Sequence, residues 1–127
     1  MHITLYGIPN CDTVRKARAW LTEHGIQYHF HDFRKAGVSP EMLADWLTDL
    51  PWETLLNRRG TTWRALPQER RDAVTDASSA TLLMLDYPSV IKRPVLVLDA
   101  VPIAGFDAEL YKKLFRQYAV AGAANHG

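Results

Sequence analysis

The sequence predicts an α/β fold, and three observations carry that prediction. β-prone runs at residues 3–8 and 27–33 enclose a helical pattern. Two further β-prone runs at 95–99 and 101–104 lead into another helical pattern, and the stretch between the two groups is mainly helical. The resulting order is β-α-β, helical insert, β-β-α. A chain of 127 residues suits one domain. We place that domain at 1–118, with its helical insert at about 36–88 and a flexible tail at 119–127.

Ile3-Thr4-Leu5-Tyr6-Gly7-Ile8 is a short apolar run ended by Pro9-Asn10, which reads as a buried strand and a turn. Asp12 and Thr13 then open a helix whose inner face carries Val14, Ala17 and Leu21, with Gly25 as its C-terminal stop. In the second strand Tyr28 and Phe30 share one face, and His29 and His31 the other. A β-α-β unit of this kind normally has parallel strands. Ser39-Pro40 starts the next helix, with Ser39 as N-cap, and Leu43, Trp46, Leu47 and Leu50 form its apolar stripe. Residues 52–56 continue as a helical turn, 57–60 form a polar loop, and 67–75 a short charged helix. Ser78 or Ser79 is the expected cap of a helix running through Leu82, Leu83 and Leu85 to Tyr87. The runs at 95–99 and 101–104 are joined by a very short link, which makes them an antiparallel hairpin. The last helix should turn Leu110, Tyr111, Leu114 and Phe115 inward and Lys112, Lys113 and Arg116 outward.

Composition narrows the function. Fifteen Lys+Arg against fourteen Asp+Glu leave a net charge of +1, so no polybasic nucleic-acid surface and no direct nucleic-acid partner is expected. No apolar run approaches the roughly 18 residues of a membrane span. The opening Met-His-Ile-Thr-Leu lacks a basic region followed by an apolar core, and a cytoplasmic location is expected. One cysteine excludes an internal disulfide, a Cys-x-x-Cys pair and a thiolate metal cluster. His29 and His31 lack a nearby third ligand, so no metal is expected; no nucleotide cofactor is expected either.

Cys11 lies between a strand and a helix N-terminus, where unpaired backbone N–H groups and the helix dipole favour an anion. Arg15, one turn on, is expected to lean toward the sulfur, against the opposing charge of Asp12. A tyrosine-phosphatase loop is excluded, because it needs an arginine six residues after the cysteine and position 17 is Ala. Arg93-Pro94 opens the third strand and is the second candidate feature. Arg58, Arg59 and Arg64 form a basic cluster in the polar region of the insert.

Ile3–Ile8, Pro9-Asn10-Cys11-Asp12-Thr13-Val14-Arg15-Lys16-Ala17, Leu82–Pro88, Ile91-Lys92-Arg93-Pro94 and Gly105-Phe106 together resemble the arsenate reductase-related, ArsC-like family of thioredoxin-fold proteins. The YffB-type branch is the nearer likeness and the Spx regulators a more distant one. The resemblance spans residues 2–118. It implies a thioredoxin-like fold, a nucleophilic Cys11 beside a cis-proline loop, Arg93 facing the thiol, and glutathione as co-substrate. Of the three arginines that hold the oxyanion in arsenate reductases, one matches Arg93. A second falls on Asn57, beside Arg58 and Arg59, and the third near Gly105-Phe106, where no arginine stands. Position 14 is Val, so the Cys-x-x-Cys switch of redox-sensing Spx members is absent.

The expected function is glutathione-dependent monothiol reduction, with Cys11 forming a mixed disulfide that an external thiol resolves. The expected substrate-binding residues are Asn10, Arg15, Arg58, Arg59, Arg93 and Pro94, with Pro94 leaving backbone groups free for an extended peptide. Arsenate reduction and Spx-like binding of RNA polymerase are the alternatives.

Overall fold

A computed structural model describes the backbone of residues 2–126 and the side chains of residues 2–117. Four strands form one sheet in the order β2-β1-β3-β4: β1 (Ile3–Gly7), β2 (His29–Asp32), β3 (Val95–Leu98) and β4 (Val101–Ala104). β1 runs parallel to β2, while β3 is antiparallel to both β1 and β4. The link between β3 and β4 is two residues, Asp99 and Ala100, both with positive φ, as a tight hairpin of this hand requires.

Strand alternation divides the interior in two. Ile3, Leu5, Leu96 and Leu98 face α1 (Asp12–Glu23) and α8 (Ala108–His126), and pack with Ala17, Leu21 and Tyr111. Val95, with Tyr6 and Val97 at its margin, faces the helical segment and joins Leu43, Trp46, Leu55, Leu83, Met84 and Ile91. That segment comprises α2 (Phe33–Ala36), α3 (Pro40–Asp49), α4 (Trp52–Leu55), α5 (Thr61–Ala65), α6 (Gln68–Asp72) and α7 (Ala77–Asp86), then a 3₁₀ turn at Pro88–Val90. The thioredoxin-like layering expected from the sequence is present. The tail expected at 119–127 lies outside the described side chains, and the helix trace continues to His126.

Several local expectations are corrected. β2 stops at Asp32 because the Asp32 carboxylate accepts from the backbone N–H of Arg34 and starts α2 at Phe33. The cap of α7 is Asp76, not Ser78 or Ser79. Its carboxylate accepts from the Ser79 N–H while the Ser79 hydroxyl accepts from the Asp76 N–H, a reciprocal capping box. Ala80, Leu83 and Met84 share the buried stripe of α7, so Leu82 falls off it and is 62% exposed. Leu110 likewise faces outward, since Tyr111 takes the fully buried position on α8. The two-face assignment of this strand holds: Tyr28 and Phe30 pack toward α1 and α8, while the His31 ring lies tilted against Tyr6.

Candidate functional site

Gly7 ends β1 against Val14 in the first turn of α1. A Cβ on Gly7 would lie 2.8 Å from Val14 Cγ2, so the absence of a side chain lets the first turn of α1 pack onto the strand end. Cys11 is thereby held as the N-cap residue of α1, with extended φ and ψ, and its carbonyl accepts from the Arg15 N–H at 2.9 Å. The cysteine is partly exposed and unpaired, and its sulfur makes no capping hydrogen bond.

The thiol opens into a cavity of about 300 Å³. Cys11 and Thr13 form one wall, Lys92 and Arg93 a second, and Gly105 and Phe106 a third, with Asn57 reaching in from the helical segment. Both charged linings are cationic. Among the described residues neither Lys92 nor Arg93 takes part in an ion pair, and the Arg93 Nε is buried without a hydrogen-bond partner. Gly105 has φ of 84°, and a Cβ there would lie 3.0 Å from Lys92 Cε, so the lysine stem lies directly over this glycine. Asn57 is held by its own N–H donating to Val90 O at 2.7 Å, next to the Leu56–Ile91 bridge, while the Lys92 N–H donates to Leu55 O at 2.8 Å. The Arg93-Pro94 peptide is cis.

The structure brings together Cys11 and Arg93 and leaves other expected residues aside. Arg15 is turned away from the cavity: its guanidinium pairs with Asp12 at 2.5 Å on the exposed first turn, because a carboxylate three residues back is the nearer partner. Asn10 is exposed in the turn before the helix. Arg58 lies 5.9 Å from the Trp52 ring centroid and Arg59 is exposed, its N–H donating to the Asn57 side chain. Neither arginine lines the cavity; Asn57 does. Pro94 is buried, and its carbonyl accepts from the Gly105 N–H at 2.8 Å, so that carbonyl is already engaged. Thr13 and Lys92 line the cavity without having been expected there. The signal for Lys92 was its position in the Lys-Arg-Pro run, and that for Thr13 its place in the first turn behind the cysteine. His31 Nε2 lies 2.8 Å from Gly37 O, and no group of three metal-ligating side chains occurs among the described residues. No described helix is long and apolar enough to cross a membrane.

A parallel β-α-β unit joined to an antiparallel β-β-α unit, with the cysteine at the first helix and a cis-proline before β3, defines a thioredoxin-like protein. Within that class the chain belongs to the ArsC family, whose sequence model matches residues 6–114. An uncharacterised protein of Haemophilus influenzae is 38% identical over 113 residues, covering 89% of this chain and 98% of the relative. The global transcriptional regulator Spx of Streptococcus agalactiae is 30% identical, over 75% of this chain and 69% of its own. Among solved structures a YffB protein is 45% identical with a TM-score of 0.83, covering 87% of this chain and 96% of that one. An arsenate reductase-related protein from Brucella melitensis is 51% identical with a TM-score of 0.73, over 91% and 95% of the two chains.

Proposed function

We propose that the chain is a glutathione-dependent monothiol reductase. The single observation that carries this reading is a lone, partly exposed thiol facing a cavity whose charged residues, Lys92 and Arg93, are both cationic. Glutathione presents a thiol flanked by two carboxylates, which suits two cations beside a sulfur. Arg93, with its planar guanidinium, is the better partner for bidentate contact, and Lys92 for a point charge. The Cys11 thiolate attacks the glutathione sulfur of a mixed disulfide. The S–S bond breaks, the other thiolate departs and takes a proton from water, and Cys11 is left bound to glutathione. A second glutathione thiolate then attacks that sulfur, oxidised glutathione leaves, and the Cys11 thiolate is regenerated. No other sulfur nucleophile of the cysteine type exists in the chain, so the resolving thiol is external.

Arsenate reduction is the second reading, favoured by the same pair of cations and by the family. Against it, the cavity has Asn57 and Gly105 where arsenate reductases carry two further arginines, and the exposed Arg58 and Arg59 do not take their place. Side-by-side turnover of arsenate and of a glutathione mixed disulfide separates the two. The reductase reading expects the disulfide to be preferred and Cys11→Ser to abolish its reduction; comparable or better turnover of arsenate would reverse the ranking. An Spx-like role in binding RNA polymerase rests on the relatives at 30% identity. It expects RNA polymerase to be retained from lysate by native protein and Cys11→Ser alike. Glutathione is a substrate in this scheme, and the cytoplasm, where it is abundant and reduced, is the compartment the reading fits.

A further inference from the structure

Arg93 has two sides. One borders the Cys11 cavity, and the other borders a separate cavity of about 240 Å³ lined by Ile8, Phe33, Arg34, Pro88 and Ser89. We infer that this second cavity is the subsite for the departing half of the substrate, and that it takes an apolar side chain next to a carboxylate on a cysteinyl peptide. The inference rests on the reductase reading and adds to it the chemistry of the acceptor.

Thiol–disulfide exchange places the attacking, central and leaving sulfurs on one line. With glutathione beside Cys11, the departing half therefore lies beyond the glutathione sulfur and needs a surface of its own; the cavity that shares Arg93 with the Cys11 cavity offers one. The Lys92 side, with Asn57, is the polar half and suits glutathione. The far side of Arg93 has a different composition. Ile8, Phe33 and Pro88 supply apolar walls, Ser89 a hydroxyl, and Arg34 and Arg93 two cations. No acidic residue lines it. Its connection to the thiol is short in sequence as well, since Ile8 precedes Cys11 by three residues in the same β1–α1 link. A volume below the roughly 300–1,000 Å³ of a full small-molecule pocket fits one side chain and a carboxylate, not a whole ligand. Apolar walls together with two cations and no acid select a ligand end that carries both an apolar group and an anion.

The test is steady-state reduction of three glutathione mixed disulfides: with cysteinyl-phenylalanine, with its C-terminal amide, and with cysteamine. The subsite predicts a KM for the cysteinyl-phenylalanine disulfide about tenfold below that of cysteamine, the lower end of what an apolar pocket discriminates. Ser89→Trp, at an exposed position on the cavity wall, should remove that advantage, read as the ratio of the two KM values within the variant. Arg34→Gln should remove the preference for the free carboxylate over the amide. Equal KM values for the three disulfides, or a Ser89→Trp variant that keeps the preference, would overturn the subsite while leaving the reductase reading intact. If none of the three is reduced, the reductase reading fails and this subsite fails with it.

Discussion

The two faces of the sheet bury similar kinds of side chain but are assembled from different material. One is covered by two long helices, α1 and α8, each docked through one stripe: Ala17 and Leu21 from the first, Tyr111 from the second. The other is covered by six helices, of which α2, α4, α5 and α6 are only four or five residues long. Helices that short have little stability of their own and hold their shape through tertiary packing. The cavity at Cys11 draws on both regions unequally. Six of its seven lining residues come from β1–α1, the start of β3 and the β4–α8 link, and one, Asn57, from the helical segment. The frame of the cavity is therefore set by long-range strand pairing, and the helical segment adds a single polar group beside the Leu56–Ile91 bridge.

Truncating a core leucine on either face tests whether the two regions unfold together. Leu55 and Leu96 are both fully buried. Leu55→Ala and Leu96→Ala should each cost about 2–5 kcal/mol and lower the midpoint of one shared urea transition. A separate early transition in Leu55→Ala alone would show the helical segment to be an independent unit.

The next effect is local to the site. Gly105→Ala places a Cβ in left-handed backbone at 3.0 Å from Lys92 Cε. We expect a loss of about 1–2 kcal/mol from the backbone conformation, with KM for glutathione disulfides raised more than kcat is lowered. An unchanged KM would remove Lys92 from the binding surface.

Tyr111 offers a gain. Its hydroxyl is buried with no hydrogen-bond partner among the described residues, and its ring meets Phe106 edge-on at 4.8 Å. Tyr111→Phe should raise stability by roughly 1 kcal/mol, read from the denaturation midpoint. Burial pushes the Tyr111 phenol well above its ordinary value of 10.0. The folded state therefore favours the neutral phenol, and stability present below pH 10 should fall as pH rises further. Tyr6 is raised too, by burial and then by Asp45, in the same direction. The part of the alkaline loss that Tyr111→Phe abolishes belongs to Tyr111.

The smallest effect lies at the cap of α7. The Ser79 backbone and hydroxyl hydrogen bonds hold the Asp76 carboxyl below its ordinary value. Its contribution is present above that ordinary value and is lost as pH falls through the lower folded one. Asp76→Ala should lower Tm slightly at neutral pH, and the difference from the native chain should vanish in acid.

The frame was legible in the sequence because its signals are local and redundant. Ile3 and Leu5 alternate, Val14, Ala17 and Leu21 repeat at helical spacing, and a two-residue link forces a hairpin. The site was legible in part. Cys11 and Arg93 lie in recognisable turns, and Asn57 was marked by the resemblance. Lys92, Thr13 and the second side of Arg93 depend on side-chain direction around a bend, which spacing does not encode. Arg15 misled because its nearest charged neighbour is Asp12, and only the structure weighs that pair against the sulfur. Arg58 and Arg59 misled through adjacency, since the backbone bonds that hold Asn57 in place leave its two neighbours outside.

The most direct test of the central claim is the intact mass of the chain during turnover of a glutathione mixed disulfide. We predict one glutathione per chain, bound at Cys11, released by added glutathione and absent in Cys11→Ser. Turnover that persists in Cys11→Ser, or turnover by the native chain with no adduct at Cys11, would contradict the account.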